Sequence, residues 1–364
     1  MTSDVSPKRV VVAMSGGVDS SVAASLLKKR GFEVIGVTIK TWGNDECKDE
    51  RSKGCCSIRD IQDARSVAGV LNIPYYVMDL SVDFKERVMD YFVDEYFAGR
   101  TPNPCIECNR HIKFGVLLQK AEELGASFIA TGHYARIGYE AVEKRYFIRE
   151  GEDLTKDQSY VLFGQTQEQL SKTLLPIGEL HKTEVRALAA EIGLRVSDKP
   201  DSQEICFVKS SYGQFVKDFA ADRLPGTGNF VDSQGQVVGT HEGSHLYTVG
   251  QRKRIKITDE NPFFVTEVDA DKNQVRIGRE GDLYSGAMDV RRVNWQLNAR
   301  LGSVEVKIRS RHEKTGARIV EITDDRVRVE FEEPQKAVTP GQAAVFYDGD
   351  RVLGGGWIEK AFSF

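Results

Sequence analysis

Up to about Ala135, short apolar runs alternate with segments whose apolar residues recur every third or fourth position. Arg9–Met14 (RVVVAM) is an apolar run of the length of a buried strand. In Ser20–Arg30, Val22, Ala23, Leu26 and Leu27 share one helical face, and Gly31 marks the stop. Glu33–Lys40 reads as a second strand. Ser57–Leu71 reads as a helix opened by a Ser57–Asp60 capping box, and Ile73–Leu80 as a third strand. Phe84, Val88, Tyr91 and Phe92 give the next helix its apolar face. After the Pro-rich turn Thr101–Pro104 a helix runs to Leu124, and Ser127–Thr131 is another strand. Strands separated by helices predict an α/β fold with a parallel sheet covered on both faces.

The pattern changes after about residue 210. Gly and short β-branched runs become common and long helical periods vanish. Short strands and turns are expected from Gly226 to Gly281, including Asn229–Val231 and Gln274–Ile277. From about Met288 the strands lengthen: Ser303–Ser310, Arg318–Ile322, Arg326–Phe331, Ala343–Tyr347 and Arg351–Ile358. Turn signals such as Asp348-Gly349-Asp350 separate them. The pattern predicts a small antiparallel barrel or sandwich.

Composition narrows the class. With 364 residues, 40% apolar and 29% charged, the chain has material for two or three domain cores. No apolar run reaches the roughly 18–20 residues of a membrane helix. MTSDVSPKR carries no apolar signal region, so a cytoplasmic protein with no membrane partner is expected. A net charge of −4 speaks weakly against nucleic acid. Locally the balance reverses, as Arg300–Arg318 holds six basic residues against two acidic ones. Lys307, Arg309 and Arg311 alternate, which predicts one face of one strand. Arg252, Lys253, Arg254 and Lys256 form a second cluster.

The sharpest chemical signal is Ser15-Gly16-Gly17-Val18-Asp19-Ser20, between a strand and a helix. Two glycines let the backbone turn tightly against an anion, and the helix start offers unpaired N–H groups to phosphate. Asp19 is the candidate ligand of Mg²⁺. The string has no Lys of the mononucleotide P-loop and no G-x-G-x-x-G of dinucleotide folds. All six cysteines lie in the first 206 residues: Cys47, Cys55, Cys56, Cys105, Cys108 and Cys206. Cys105-Ile106-Glu107-Cys108 sits after the Pro-rich turn, and Cys206 lies far downstream. Two thiols meeting over a substrate could relay a sulfane sulfur and release the product through a disulfide. A structural zinc site completed by Cys206 with Cys55 or Cys56 is the alternative.

SGGVDS resembles the pyrophosphate loop of ATP pyrophosphatases, which include GMP synthetase, argininosuccinate synthetase and tRNA thiolases. Over essentially its full length the chain resembles the bacterial tRNA-specific 2-thiouridylase family. The matching segments are AMSGGVDSS, GRTPNPCIECNRHIKFG, ATGHYAR, KDQSYVL, KTEVR, DSQEICF, HEGSHLYTVGQRK and TPGQAAVFYDGDRVLGGGWI. The resemblance implies a PP-loop, adenine nucleotide hydrolase-like α/β domain over residues 1–210. It further implies a small mainly-β central domain over 211–283 and a C-terminal β-barrel that contacts tRNA over 284–364. It implies ATP-dependent 2-thiolation of the wobble uridine of tRNAs for Lys, Glu and Gln, forming AMP and pyrophosphate.

By the same resemblance, ATP binds at Ala13, Met14, Ser15, Gly16, Gly17, Val18, Asp19 and Ser20, near Ile39 and at Gly132. Cys108 matches the nucleophile and Cys206 the persulfide carrier. Asn103, Pro104 and Cys105 line the target base. His133, Lys156, Asp157, Gln158, Arg311, His312 and Gln342 match positions that touch the tRNA anticodon stem-loop. A cysteine desulfurase or sulfur-relay protein is the expected donor. One departure stands out: the family's best-described members carry Asp, a general acid/base, where this chain has Cys105. A thiol of ordinary pKa near 8.5 is a poorer acid/base at neutral pH. Cys105, Cys108 and Cys206 could instead hold a [4Fe–4S] cluster. Persulfide relay and cluster both stay open at this level, as do an amidating synthetase acting on a small molecule and a zinc-stabilised RNA-binding protein.

Overall fold

The computed structural model describes residues 8–41, 58–194, 196–197, 199 and 205–363. Cys47, Cys55, Cys56 and the Ser57 half of the expected capping box lie outside the described residues. The chain divides into two compact units. One gathers residues up to Val88, Cys105–Lys209 and Asp350–Val352; the other gathers Met89–Pro104, Ser210–Gly349 and residues from Leu353 on.

In chain order the first elements are β1 (Arg9–Ala13), α1 (Val18–Lys29), β2 (Glu33–Lys40), α2 (Ile58–Val70), β3 (Tyr75–Asp79), α3 (Ser81–Phe84), α4 (Tyr91–Phe97), α5 (Pro104–Glu107) and α6 (Leu117–Glu123). They continue with β4 (Phe128–Ala130), β5 (Ala135–Glu140), β6 (Arg145–Glu150), α7 (Gln167–Ser171), β7 (Thr173–Leu174) and α8 (Lys182–Glu191). Lys85–Asp90 and Cys108–Val116 wind as π-helix. An apolar period does not distinguish that winding from an ordinary helix, so the sequence predicted only helix there.

The first unit is built on a parallel sheet in the order β3-β2-β1-β4-β7. Val10, Val11 and Val12 are all 0% exposed. Alternate residues of a strand face opposite ways, so β1 is covered on both sides. Val10, Val12 and Met14 pack with Val22 and Leu27 of α1, Ala64 and Val67 of α2, and Val185 and Ala189 of α8. On the other side Val11 stands opposite Ile129, and α6 packs on β4. From β1 the chain crosses to β2 and β3 on one side, whereas β4 and β7 lie on the other. That reversal opens a crevice at the carboxyl ends of β1 and β4, the place where open α/β sheets bind ligands. The antiparallel hairpin of β5 and β6 was not visible in the sequence pattern; Arg351 pairs with Arg149 of its second strand.

The second unit holds α9 (Tyr212–Phe219), β8 (Gly228–Val231), β9 (Val237–His241), β10 (Phe264–Asp269), β11 (Gln274–Gly278), β12 (Tyr284–Trp295), β13 (Gly302–Lys307), β14 (Thr315–Ile322), β15 (Arg326–Lys336), β16 (Ala343–Asp348) and most of β17 (Arg351–Phe362). A small sheet runs β10-β11-β8-β9 around a core of Phe230, Val265, Val275 and Ile277. The next six strands run β12-β15-β14-β13-β16-β17, and β17 pairs back onto β12, with Ala287 opposite Phe362. That closure makes a barrel and leaves those strands no open edge. Among the described residues no helix is long and apolar enough to cross a membrane.

One expectation fails in the barrel. β13 ends at Lys307, Arg309 lies in a bend and Arg311 in a turn, so the three do not share the face of one strand. Each is used differently. Lys307 lies over the Tyr347 ring, and Arg309 donates to the Lys336 carbonyl at 3.2 Å. Arg311 is exposed. The charges alternate in sequence, but the chain turns between them to start β14.

Candidate active site

The loop Ser15–Ser20 occupies the crevice at the end of β1. Gly16 takes φ +71°, and a Cβ there would lie 2.3 Å from the Asp60 carbonyl oxygen. Only glycine meets both conditions. Gly17 stands before α1 in extended backbone and no side chain caps the helix. Hydroxyls stiffen the turn instead: Ser21 Oγ donates to the Gly17 carbonyl at 2.7 Å, and the Ser15 N–H donates to Ser20 Oγ at 3.2 Å. A helix of 12 residues with an uncapped N-terminus is suited to an anion. Gly132, just past β4, presses on the loop so closely that a Cβ would sit 2.6 Å from Asp19 C and Ser20 N. The structure thus brings Ala13, Met14, the loop and Gly132 together. Ile39 lies near the carboxyl end of the adjacent strand β2, half-buried.

Two lysines that sequence reasoning did not assign reach this loop. Lys182 Nζ, on the first turn of α8, donates to both Asp19 carboxylate oxygens at 2.7 and 2.9 Å. Tyr134 O–H donates to Asp19 Oδ1 at 2.8 Å. Lys199 Nζ donates to the Gly16 carbonyl at 3.0 Å, to Asp60 Oδ1 at 2.6 Å and to Asp63 Oδ2 at 2.7 Å. Arg186 holds the carbonyls of Ser197 and Lys199 and so fixes the segment that carries the second lysine. Both lysines thus come to the loop from far downstream in the chain.

Cys105 is exposed on α5, and Cys108 begins the π-helical segment half-buried. Cys206 is half-buried too. Its neighbour Phe207 is buried and meets Phe84 edge-on at 5.8 Å, and α3, which carries Phe84, packs on the Cys108–Val116 segment. Cys108 and Cys206 therefore belong to elements joined by one intermediary. Among the described residues no three His, Cys, Asp or Glu side chains are grouped to hold a metal ion. Cys55 and Cys56, the further ligands of the zinc reading, lie outside the described residues. Between the two cysteines of the C-x-x-C, Glu107 is buried, and its carboxylate lies 3.1 Å from His111 Nε2. Sequence reasoning missed this pair, although its i,i+4 spacing was visible.

The residues expected at RNA fall into three places. Near the loop, His133 is buried, with Nδ1 2.7 Å from Thr131 Oγ1. Burial, and then the Lys113 charge, hold its pKa well below the ordinary range, so the imidazole is neutral. Asp157 accepts from the N–H groups of Gly151 and Ser159 and from Ser159 Oγ, while Gln158 Oε1 accepts from the Tyr134 N–H. These two shape a turn that leaves Lys156 half-buried beside them. In the second unit Gln342 Nε2 donates to the Thr101 carbonyl at 2.8 Å, which anchors the turn bearing half-buried Asn103 and buried Pro104. Arg311 and half-buried His312 follow the end of β13.

Three sequence-family models match in succession. They are a tRNA methyl transferase HUP domain over residues 8–210, a tRNA methyl transferase PRC-barrel domain over 213–279 and an aminomethyltransferase beta-barrel domain over 285–358. The tRNA-specific 2-thiouridylase MnmA of Symbiobacterium thermophilum is 49% identical over 98% of this chain and 93% of its own. That of Geotalea uraniireducens is 51% identical over 97% and 96%. Among solved structures, NMN synthetase from Francisella tularensis aligns over 59% of this chain and 77% of its own, at 16% identity and a TM-score of 0.34, too faint a likeness to carry an argument. The full-length identities to named relatives establish that the chain belongs to the tRNA-specific 2-thiouridylase family.

Proposed function

We infer that this protein is an ATP-dependent tRNA-uridine 2-sulfurtransferase acting on the wobble uridine of tRNAs for Lys, Glu and Gln. The observation that carries the reading is a phosphate loop at the β1–β4 crevice in the same unit as Cys108 and Cys206. The matching family models speak of methyl transfer and the named relatives of thiolation. A pyrophosphate loop serves adenylation, for which methyl transfer has no use, so the site agrees with the relatives.

In the proposed reaction the uracil O2 attacks the α-phosphorus of ATP. The bond to the α,β-bridging oxygen breaks, and pyrophosphate leaves with the electron pair. Backbone N–H groups of the loop and of the first turn of α1 stabilise that charge. Asp19 is the carboxylate suited to Mg²⁺, which when bound would neutralise phosphate charge. Adenylation makes the old O2 part of a good leaving group. The terminal sulfur of a Cys206 persulfide then attacks C2, and AMP departs with that oxygen. The Cys108 thiolate attacks Cys206 Sγ, the S–S bond breaks, and the sulfur stays on C2 with the electron pair. A Cys108–Cys206 disulfide remains, to be reduced by an external thiol. Glu107 and His111 supply acid/base capacity that Cys105 lacks. The wobble base lies in a loop and can be extruded without opening a duplex. The sulfur donor is a cysteine desulfurase or a relay protein, and the compartment is the cytoplasm.

The test incubates the protein with unmodified tRNA, ATP, Mg²⁺ and a persulfide source, and then digests the RNA for mass analysis. 2-Thiouridine formed only with ATP, with AMP as co-product, is the expected result. AMP without thiouridine, from any donor, would transfer the reading to a small-molecule synthetase.

A further inference from the structure

The phosphate loop carries a carboxylate, Asp19, at the helix end that would receive the most highly charged part of a nucleotide. Left alone, that carboxylate repels phosphate. The cation that answers it is Lys182, 163 residues away in sequence and only 10% exposed at its side chain. Its ammonium meets both Asp19 oxygens at 2.7 and 2.9 Å and lies 5.6 Å from the centre of the Tyr134 ring. Its backbone N–H donates to Asp153 Oδ2 at 3.0 Å, which fixes the start of α8. The charge is therefore held at the mouth of an uncapped helix by contacts from α1, Tyr134 and Asp153.

A partly buried ion pair is a weak source of stability, because both ions lose part of their hydration. Its position is better explained by use. A lysine ammonium turns on a flexible stem and presents several donors. It can move from Asp19 to a phosphate oxygen entering the loop with no movement of the backbone. We propose that Lys182 is a catalytic residue that binds the β- and γ-phosphates of ATP and holds the departing pyrophosphate. When the bond between the α-phosphorus and the bridging oxygen breaks, the electron pair and one added negative charge fall on pyrophosphate. The ammonium faces that charge. Asp19 and Tyr134 are the positioning residues that aim it. The assignment rests on reading the loop as an ATP site.

The experiment measures binding of ATP, pyrophosphate and AMP to the full-length protein and to Lys182→Met and Lys182→Arg by equilibrium dialysis. A charge-assisted contact confined to the outer phosphates predicts that Lys182→Met weakens ATP and pyrophosphate by about 10- to 100-fold. AMP binding should stay within about twofold, and Lys182→Arg should recover part of the ATP affinity. Because Lys182→Met leaves Asp19 without its counter-charge, Lys182→Met with Asp19→Asn serves as the charge-balanced variant. It should show the same selective loss. Equal loss for ATP and AMP in the balanced variant, or no loss for either, overturns the assignment. A wild-type protein that binds neither ATP nor pyrophosphate would sink the ATP reading itself, and the lysine's role with it.

Discussion

At the scale of single residues, glycines and lysines define the phosphate site in opposite ways. The glycines were legible in the sequence, because a tight turn between a strand and a helix has a local signature. Gly16 and Gly17 lie within one short string, and the structure gives the reason for the first in its φ of +71° and its contact with Asp60. The lysines were not legible. Lys182 and Lys199 stand 163 and 183 residues from the loop atoms they meet, and no local pattern spans such distances. Gly132 belongs between these cases, since its motif was visible but its contact was not. Gly132→Ala should push the loop backbone away from the position that receives phosphate. A displacement of that kind costs on the order of 100-fold where geometry matters. We expect ATP affinity to fall by at least about tenfold with the circular dichroism spectrum unchanged. Wild-type ATP affinity in Gly132→Ala would mean that nucleotide does not use this crevice.

At the scale of elements, the parallel sheet was readable because its strands are continuous apolar runs, whereas β7, β12 and the β5–β6 hairpin were not. The two residues of β7 are too few for a pattern, and the hairpin strands carry many charges that the fold pairs, as in Glu140 with Arg351. The Cys108–Val116 π-helix is likewise a matter of winding that an apolar period does not report. Lys199 ties such elements together. It is the shared cation of Asp60 and Asp63 on α2 and of the Gly16 carbonyl. Lys199→Met would leave two like charges three residues apart on one helix. We expect a loss of about 1–3 kcal/mol in urea unfolding, with weaker ATP binding because the loop loses its brace. Unchanged stability would mean that the three contacts contribute nothing net.

A second element-scale prediction concerns pH. His245, in the short turn before Tyr247, is 1% exposed, and its ring lies 5.7 Å from that of Phe97 on α4. Burial first, then the charges of Lys217, His241 and Arg254, lower its pKa to about 4 from 6.5. The unfolded chain therefore takes up a proton below about pH 6.5 that the folded chain refuses. Stability from this site is complete above 6.5 and is lost progressively as pH falls towards 4. The urea midpoint should decline over that window, and His245→Phe should flatten the decline. An identical slope in the variant would assign the acid sensitivity to other groups.

At the scale of the whole molecule, charge is the weakest guide and yet the most testable. A net charge of −4 concealed the local basic clusters, and reading Lys307, Arg309 and Arg311 as alternating along one strand placed them on a common face that does not exist. The barrel was legible from spaced β-branched runs and turns, but the end of β13 depended on how the chain turns to enter β14. The correction divides the cations by role. Lys307 covers the Tyr347 ring at 5.7 Å, and Tyr347 is itself 0% exposed. It therefore belongs to the packing of the barrel. Arg311 is exposed in a turn and is available to a phosphate backbone. Each phosphate that a cation neutralises contributes about 0.7–0.9 to the slope of log affinity against log salt. Arg311→Ala should therefore weaken tRNA binding and lower the magnitude of that slope by roughly one such contribution, with no change in thermal stability. Lys307→Ala should do the reverse, lowering the melting temperature while leaving the salt slope alone. Measuring tRNA affinity across a salt series for both variants separates the two roles. If Lys307→Ala alone flattens the slope, the packed lysine is the RNA contact, and the turn after β13 is only a connection between strands.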